Sequence, residues 1–359
     1  MSIALGPNAI QQLETILAET RLKGIALASA RLGQPTTVAA IGTDAAGIPL
    51  REDSLFAVAS ITKIATALAV LRLVDRGELA LDDPLQRHLP EAVAAAHQGV
   101  TIRRLLSHTS GLPMDLSPRM AVYAPGLAWP TLAEGCIQTP LQQPPCSRVQ
   151  YSNVGYGLLA VVVERKTGTD FTMALRHLVL DPLGIEGYLG ETPPRPWVAV
   201  AGVRGTHSKT PLEPFNSVFW HSLAMPWAGL LTTPAGALTL VRCLLEPPAG
   251  FLSPDLVAEA RRNQTDDLDG GFVRPLLWSP CPWGLGPELR GRKQPHWTPA
   301  PPAISTESFG HSGASGCLVW ADLASGISWA ILGTRTADSG WLLRRGSAIA
   351  EMILGSATE

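Results

Sequence analysis

Apolar positions along the chain follow two kinds of spacing. From Asn8 to Ala18, Ile10, Leu13, Ile16 and Leu17 recur at helical intervals and predict an amphipathic helix. Two short runs rich in Ala, Val and Ile follow, Gly24 to Ala30 and Thr36 to Ile41; the turn-like Arg31-Leu-Gly-Gln-Pro35 between them predicts a hairpin. Leu55 to Val74 is apolar at nearly every position, which predicts a buried helix that stops at Gly77. Thr101 to Leu112 predicts a short helix capped by Thr101 and ended by Gly111. The proline-containing stretch from there to Pro145 shows little periodicity.

Helical spacing returns at Asn153 to Lys166, Asp170 to Leu180, Thr232 to Leu245 and Ser253 to Arg262. After about Pro282 the runs Trp283 to Gly286, Gly316 to Asp322 and Ile327 to Thr334 are strand-like, and Trp341 to Leu354 predicts a closing helix. Strand patterns at both ends with helices between them predict an α+β fold, an α/β sandwich. Its antiparallel sheet is built from both chain termini and flanked by helices. Residues 1-82 and 280-359 supply the sheet domain in this division, and 83-279 is a mostly helical insertion.

Composition adds exclusions. Of 359 residues, 46% are hydrophobic and 16% charged, enough for a large core, and the net charge of -2 gives no bulk attraction to nucleic acid or anionic membrane. Arg72 and Asp75 interrupt the longest apolar run before it reaches membrane-spanning length. The amino terminus has neither a basic start nor a sustained apolar core, so a cytoplasmic location is expected. The five cysteines include no Cys-x-x-Cys pair, and reduced thiols are expected; a Cys136–Cys146 bridge is the alternative in an oxidising compartment. With no His-Glu-x-x-His and no Cys and His cluster, neither a metal nor another cofactor is expected. His88, His97, His108, His177, His207, His221 and His296 are scattered, and structural roles are expected for them. The proline- and tryptophan-containing segments Met225 to Gly229 and Pro280 to Trp297 fit either an acyl pocket or core packing.

The candidate chemistry starts at Ser60-Ile-Thr-Lys63. Serine and lysine three positions apart on a helix share a face, so a hydroxyl stands beside an amine whose burial would favour the neutral, proton-accepting form. A Ser-x-x-Lys match arises by chance in roughly one chain of three or four with this composition, so the motif alone decides little. Tyr151-Ser-Asn153 enters a helix; the phenol suits a proton carrier and the amide a substrate carbonyl, while packing and capping are the ordinary roles at such a place. Phe309-Gly-His-Ser-Gly-Ala-Ser-Gly316 surrounds His311 with small residues before a strand-like run. A tight turn explains it, as does an edge whose amides polarise a carbonyl.

Taken in this order and spacing, Ser60-Ile-Thr-Lys63, Tyr151-Ser-Asn153 and His311-Ser-Gly313 resemble the motifs of serine hydrolases built like class C beta-lactamases. That superfamily also holds DD-peptidases, D-aminopeptidases and family VIII carboxylesterases. Leu105-Leu-Ser-His-Thr-Ser-Gly-Leu112 supports the resemblance, which runs over nearly the whole chain. It implies a beta-lactamase/transpeptidase-like fold and an acyl-enzyme on Ser60, with Lys63 and Tyr151 sharing the base and acid roles. Asn153 would orient the substrate, the amides of Ser60 and Ala314 would form the oxyanion hole at the Gly313-Ala314 edge, and no cofactor would be needed.

One departure bears on the substrate. Class C beta-lactamases carry lysine where this chain has His311, and histidine is largely neutral at pH 7. Together with the amino terminus, this favours a carboxylesterase of small or short-chain esters. Beta-lactamase, D-amino-acid peptidase or acyltransferase action are the alternatives, and a catalytically silent binding protein is the non-enzyme one. The partner expected is a small-molecule ester or amide, not nucleic acid or membrane.

Overall fold

The computed structural model describes residues 7–272, 276–293 and 304–356. Six strands form one sheet in the order Thr37–Gly42, Gly24–Arg31, Ile327–Gly333, Cys317–Asp322, Phe309–Gly313 and Glu288–Leu289, each neighbouring pair antiparallel. The two ends of the chain therefore meet in one sheet, with Ala28 opposite Ala330. Alternation along each strand sorts residues by size. Ile25, Leu27, Leu318, Trp320, Trp329 and Ile331 form one core with the helices Pro7–Thr20 and Trp341–Ser356. Ala26, Ala28, Ala30, Val319 and Ala330 belong to the other core, where these small residues let the helix Pro234–Arg242 pack closely on the sheet. Truncating the fully buried Trp320 or Trp329 to alanine costs about 3–5 kcal/mol, by the range for large core aromatics.

The apolar run after Leu55 forms the strand Phe56–Ala57, a 3₁₀ turn Ala59–Ile61 and the helix Thr62–Asp75. From Thr62 to Leu71 every residue of that helix is buried, as an all-round apolar sequence requires. Gly77, at φ +72°, lies just past its end. On one side it packs on the helix Asn153–Thr167, and it also meets Pro234–Arg242. It is the central element, and Ser60 lies in the turn that opens it.

Two small sheets bring distant segments to that turn. Phe56 pairs with Thr232, which places the preceding loop, Ala224 to Gly229, beside Lys63. Val149–Gln150 runs parallel to Gly270–Gly271 and delivers Tyr151. A side chain at Gly270, where φ is +151°, would sit 1.8 Å from the Val149 carbonyl oxygen, so only glycine allows this pairing.

Several sequence-predicted elements change. The helix after Thr101 is Ile102–Leu106 and ends well before Gly111, because His108 turns into the left-handed region at φ +59°. Thr232 is strand, and the helix behind it starts at Pro234 with Thr233 as cap. The helix from Phe171 passes into a π turn at Arg176. Trp283 makes an isolated bridge to Glu288 rather than a strand, and Phe309–Gly313, from the segment that fits a tight turn or an amide-bearing edge, is a strand. The segment with little periodicity holds the helix Trp129–Ile137. All five cysteines are free thiols, with Cys146 exposed and the others buried. Among the described residues, no helix is long and apolar enough to cross a membrane. His296 and the end of the Pro280 to Trp297 segment lie outside the described residues.

Candidate active site

Strand Phe56–Ala57 ends at Val58, whose N–H donates to the Leu230 carbonyl (3.1 Å). Ala59 follows in the left-handed region at φ +47°, a strained backbone for a residue with a side chain, immediately before Ser60. Hydrogen bonds hold the strain in place: the Thr62 hydroxyl donates to the Ala59 carbonyl (2.6 Å) and accepts from the Leu230 N–H (3.1 Å). Ser60 is left partly exposed at the start of the helix, with Lys63 fully buried below it.

Lys63 Nζ lies 3.4 Å from Ser60 Oγ, 2.6 Å from Asn153 Oδ1 and 3.0 Å from the Trp227 carbonyl oxygen. It also stands over the Tyr151 ring, 4.5 Å from the centroid. Burial holds its pKa well below that of an ordinary lysine, opposed by the negative charge of Asp115. Burial likewise drives the Tyr151 hydroxyl well above the usual phenol range, while Ser60 pulls it down and Tyr156, Asp115 and Glu288 add to the rise. Ser60 is thus near enough to favour the phenolate, although the Tyr151 oxygen completes no hydrogen bond among the described residues. Burial thus favours the uncharged form of both groups.

Asn153 opens its helix behind Ser152, which caps it through the Gly155 N–H (3.0 Å). Its N–H donates to the Met114 carbonyl (2.7 Å) and its side-chain Nδ2 to Asp115 Oδ1 (2.5 Å). Asp115, absent from the sequence reading, thereby joins the site through Asn153. It sits in an irregular loop with no periodicity to mark it, and only the tertiary contact reveals it.

His311, on the strand Phe309–Gly313, is fully buried and donates from Nδ1 to its neighbour's carbonyl, Ser312 O (2.7 Å). Its pKa is pushed down to about 3, first by burial, then by Lys63 and Lys293, with the Ser312 contact opposing. The imidazole is therefore neutral across the physiological range. Lys293, the second lysine near His311, is committed to Glu288 at 2.5 Å and lies over the Trp278 ring. Two residues on, Gly313 lies against the Ser60 turn: a Cβ there would stand 2.2 Å from the Val58 carbonyl oxygen and 3.3 Å from the Ala59 Cβ. Ala314, exposed, follows in the turn whose carbonyl accepts from the Ala337 N–H (2.9 Å).

Ser60, Lys63, Tyr151 and Asn153 are thus joined by direct or near contacts, and the His311 to Ala314 edge borders the Ser60 turn. His108, for which a structural role is expected from sequence, packs on Tyr151 at 4.5 Å, and the fully buried Trp283, from the segment that fits either an acyl pocket or core packing, meets the His108 ring edge-on at 4.9 Å. The Trp227 ring packs on Trp129, while its carbonyl serves Lys63. Beside the site opens a cavity of about 380 Å³ lined by Met114, Asp115, Arg148, Gln150 and Phe272 among others.

Sheet, central helix and a serine beside a buried amine have the arrangement that the beta-lactamase resemblance implies. The chain belongs to the Beta-lactamase family, whose model matches residues 9–348. Among curated relatives, the Burkholderia gladioli esterase EstB is 39% identical over 201 residues, which is half of this chain and half of the esterase. Penicillin-binding protein 4 of Amycolatopsis lactamdurans is 33% identical over 287 residues, covering 75% of this chain and 68% of that protein. A crystal structure of a beta-lactamase from Mycobacterium bovis superposes with a TM-score of 0.67 at 27% identity, covering 98% of this chain and 100% of that one.

Proposed function

We propose that the chain is a cofactor-free carboxylesterase of small or short-chain esters, working through an acyl-enzyme on Ser60. The supporting observation for acyl transfer is the set of partners around Lys63 Nζ. A neutral amine has two N–H donors and one lone pair. Asn153 Oδ1 and the Trp227 carbonyl can only accept, so they take the two protons, and the lone pair is left for the Ser60 hydroxyl, which can donate.

Lys63 takes the Ser60 proton as Oγ bonds to the ester carbonyl carbon. The carbonyl π pair moves to the oxygen, facing the amides of Ser60 and Ala314 where the Gly313 edge abuts the Ser60 turn. Collapse breaks the bond to the alcohol oxygen, which leaves with a proton from Tyr151. Because the buried phenolate is unfavourable, Tyr151 recovers a proton from the Lys63 side within the same step. Water then repeats the sequence on the acyl-Ser60 ester and releases the acid. Lys63 and Tyr151 act as a coupled pair throughout.

Neutral, buried His311 supports ester over lactam, since it offers no fixed charge to a substrate carboxylate. A second reading, hydrolysis of a D-amino-acid peptide, is favoured by Arg148 in the adjoining cavity, a cation suited to a peptide carboxylate. The test is a panel of a short-chain aryl ester, a chromogenic cephalosporin and a D-alanyl peptide, with an alcohol acceptor added to detect transfer. The highest kcat/KM is expected for the ester. A higher value for the cephalosporin or the peptide would replace the esterase reading, and no adduct with a fluorophosphonate probe would point to a silent binding protein.

A further inference from the structure

We propose that His108 is a positioning residue that holds the Tyr151 phenol in line with Ser60 by bracketing the tyrosine on both sides of the chain. The inference rests on the role given to Tyr151 above. The residue before the tyrosine, Gln150, donates its N–H to the His108 carbonyl (2.8 Å). The residue after it, Ser152, donates its N–H to His108 Nδ1 (3.0 Å). Between these bonds the imidazole packs on the phenol ring, centroids 4.5 Å apart and planes tilted by 38°. One side chain and its own carbonyl thus fix residues 150, 151 and 152.

The local backbone is bent to make this possible. The helix Ile102–Leu106 stops at Ser107, and His108 takes φ +59°, which few residues with a Cβ tolerate. Two backbone anchors secure the bend: the Thr109 N–H donates to the Arg104 carbonyl (3.0 Å), and the Cys146 N–H to that of Thr109 (2.8 Å).

The choice of histidine is informative. Because Nδ1 accepts from Ser152, the neutral ring carries its proton on Nε2, and that buried nitrogen has no hydrogen-bond partner among the described residues. Asparagine would tolerate the left-handed backbone and present an acceptor at the same reach, but its amide would bring two buried N–H donors where the neutral imidazole brings one. Asparagine would thus supply the bracket without the ring, which separates the two contributions. What only the ring supplies is contact with Tyr151, with Tyr156 at 5.2 Å and with Trp283 at 4.9 Å. His108 touches neither Ser60 nor Lys63 in the hydrogen-bond network, so it acts through the tyrosine.

The test uses His108→Asn and His108→Ala, each alone and with Tyr151→Phe, assayed for kcat and KM on an aryl ester alongside thermal unfolding. His108→Asn is expected to keep KM near wild type and to lower kcat on the order of tenfold, with a lower unfolding temperature from the lost ring contacts. His108→Ala, losing the Ser152 side of the bracket as well, is expected to lose about a hundredfold, the scale set by an ångström-level misplacement. In the Tyr151→Phe background neither change should cost more than about twofold, because the hydroxyl being positioned is already gone. A wild-type kcat for His108→Asn, or losses that multiply undiminished in the Tyr151→Phe background, would overturn the inference. The asparagine variant keeps the test sharp should the alanine variant fail to fold. Full activity of Tyr151→Phe itself would instead remove the catalytic reading of that tyrosine, a separate result.

Discussion

Lys63 Nζ and Asn153 Oδ1 stand 2.6 Å apart, and the nitrogen of the same Asn153 amide reaches Asp115 at 2.5 Å. The asparagine therefore couples a carboxylate to the buried amine, and Asp115 sets part of the charge balance at Lys63 although it lies beyond hydrogen-bond reach of Ser60. Asp115 raises the Lys63 pKa against the larger lowering by burial. Asp115→Asn retains an acceptor for Asn153 but removes the charge, so the neutral amine should form at lower pH. The ascending limb of kcat/KM against pH, which reports groups of the free enzyme, is expected to move toward acid. An unmoved limb would mean that this limb does not report Lys63.

The close approach of Gly313 to the Ser60 turn gives a second expectation. A methyl at this position meets the Val58 carbonyl oxygen, a backbone atom, at 2.2 Å, so one of the two segments must move. Gly313→Ala should widen the gap between the Ser60 and Ala314 amides. If those amides bind the oxyanion, kcat falls by about 10²–10³, the range for losing one such donor. KM should change far less. Steady-state kinetics on an aryl ester decide it, and an equal rise in KM with unchanged kcat would place the effect in ground-state binding.

His311 makes the protein sensitive to acid. Its folded pKa is pushed to about 3 from an ordinary value of 6.5, so between these pH values the unfolded chain binds a proton that the folded chain does not. The His311 contribution to stability therefore falls as pH drops from about 6.5 toward 3. His311→Asn removes this slope. The difference in unfolding free energy between variant and wild type, from urea titrations at pH 7, 5 and 4, should shift steadily in favour of the variant as pH falls. A difference independent of pH would show that His311 protonates normally in the folded state.

Much of this arrangement is legible in the sequence wherever the cause is local. Ala26, Ala28 and Ala30 alternate with Ile25 and Leu27 because a strand turns successive side chains to opposite faces, and that alternation marks the sheet. The unbroken apolar run behind Ser60 marks a helix with no solvent side, and the i to i+3 spacing carries Lys63 back to the serine. What stays hidden depends on backbone bends and long-range contacts. The Trp227 carbonyl reaches Lys63 from a loop in which Ala224 takes φ +48°, and Asp115 and His108 reach Asn153 and Tyr151 across about forty residues of chain. Pro130 at the start of the helix Trp129–Ile137 was a readable sign, since proline suits a first helical turn, but it was masked by the prolines around it.

The central claim is that Ser60 carries the acyl group and that Lys63 makes it reactive. Intact and peptide mass spectrometry after rapid quenching of the enzyme with a slowly deacylating aryl ester tests this directly. The wild-type protein is expected to gain the mass of one acyl group on the peptide that contains Ser60, Lys63→Ala to acylate slower by about 10²–10⁴, the span for losing a general base, and Ser60→Ala to show neither adduct nor turnover. An acyl adduct on another residue, or ester hydrolysis that survives in Ser60→Ala, would contradict the account.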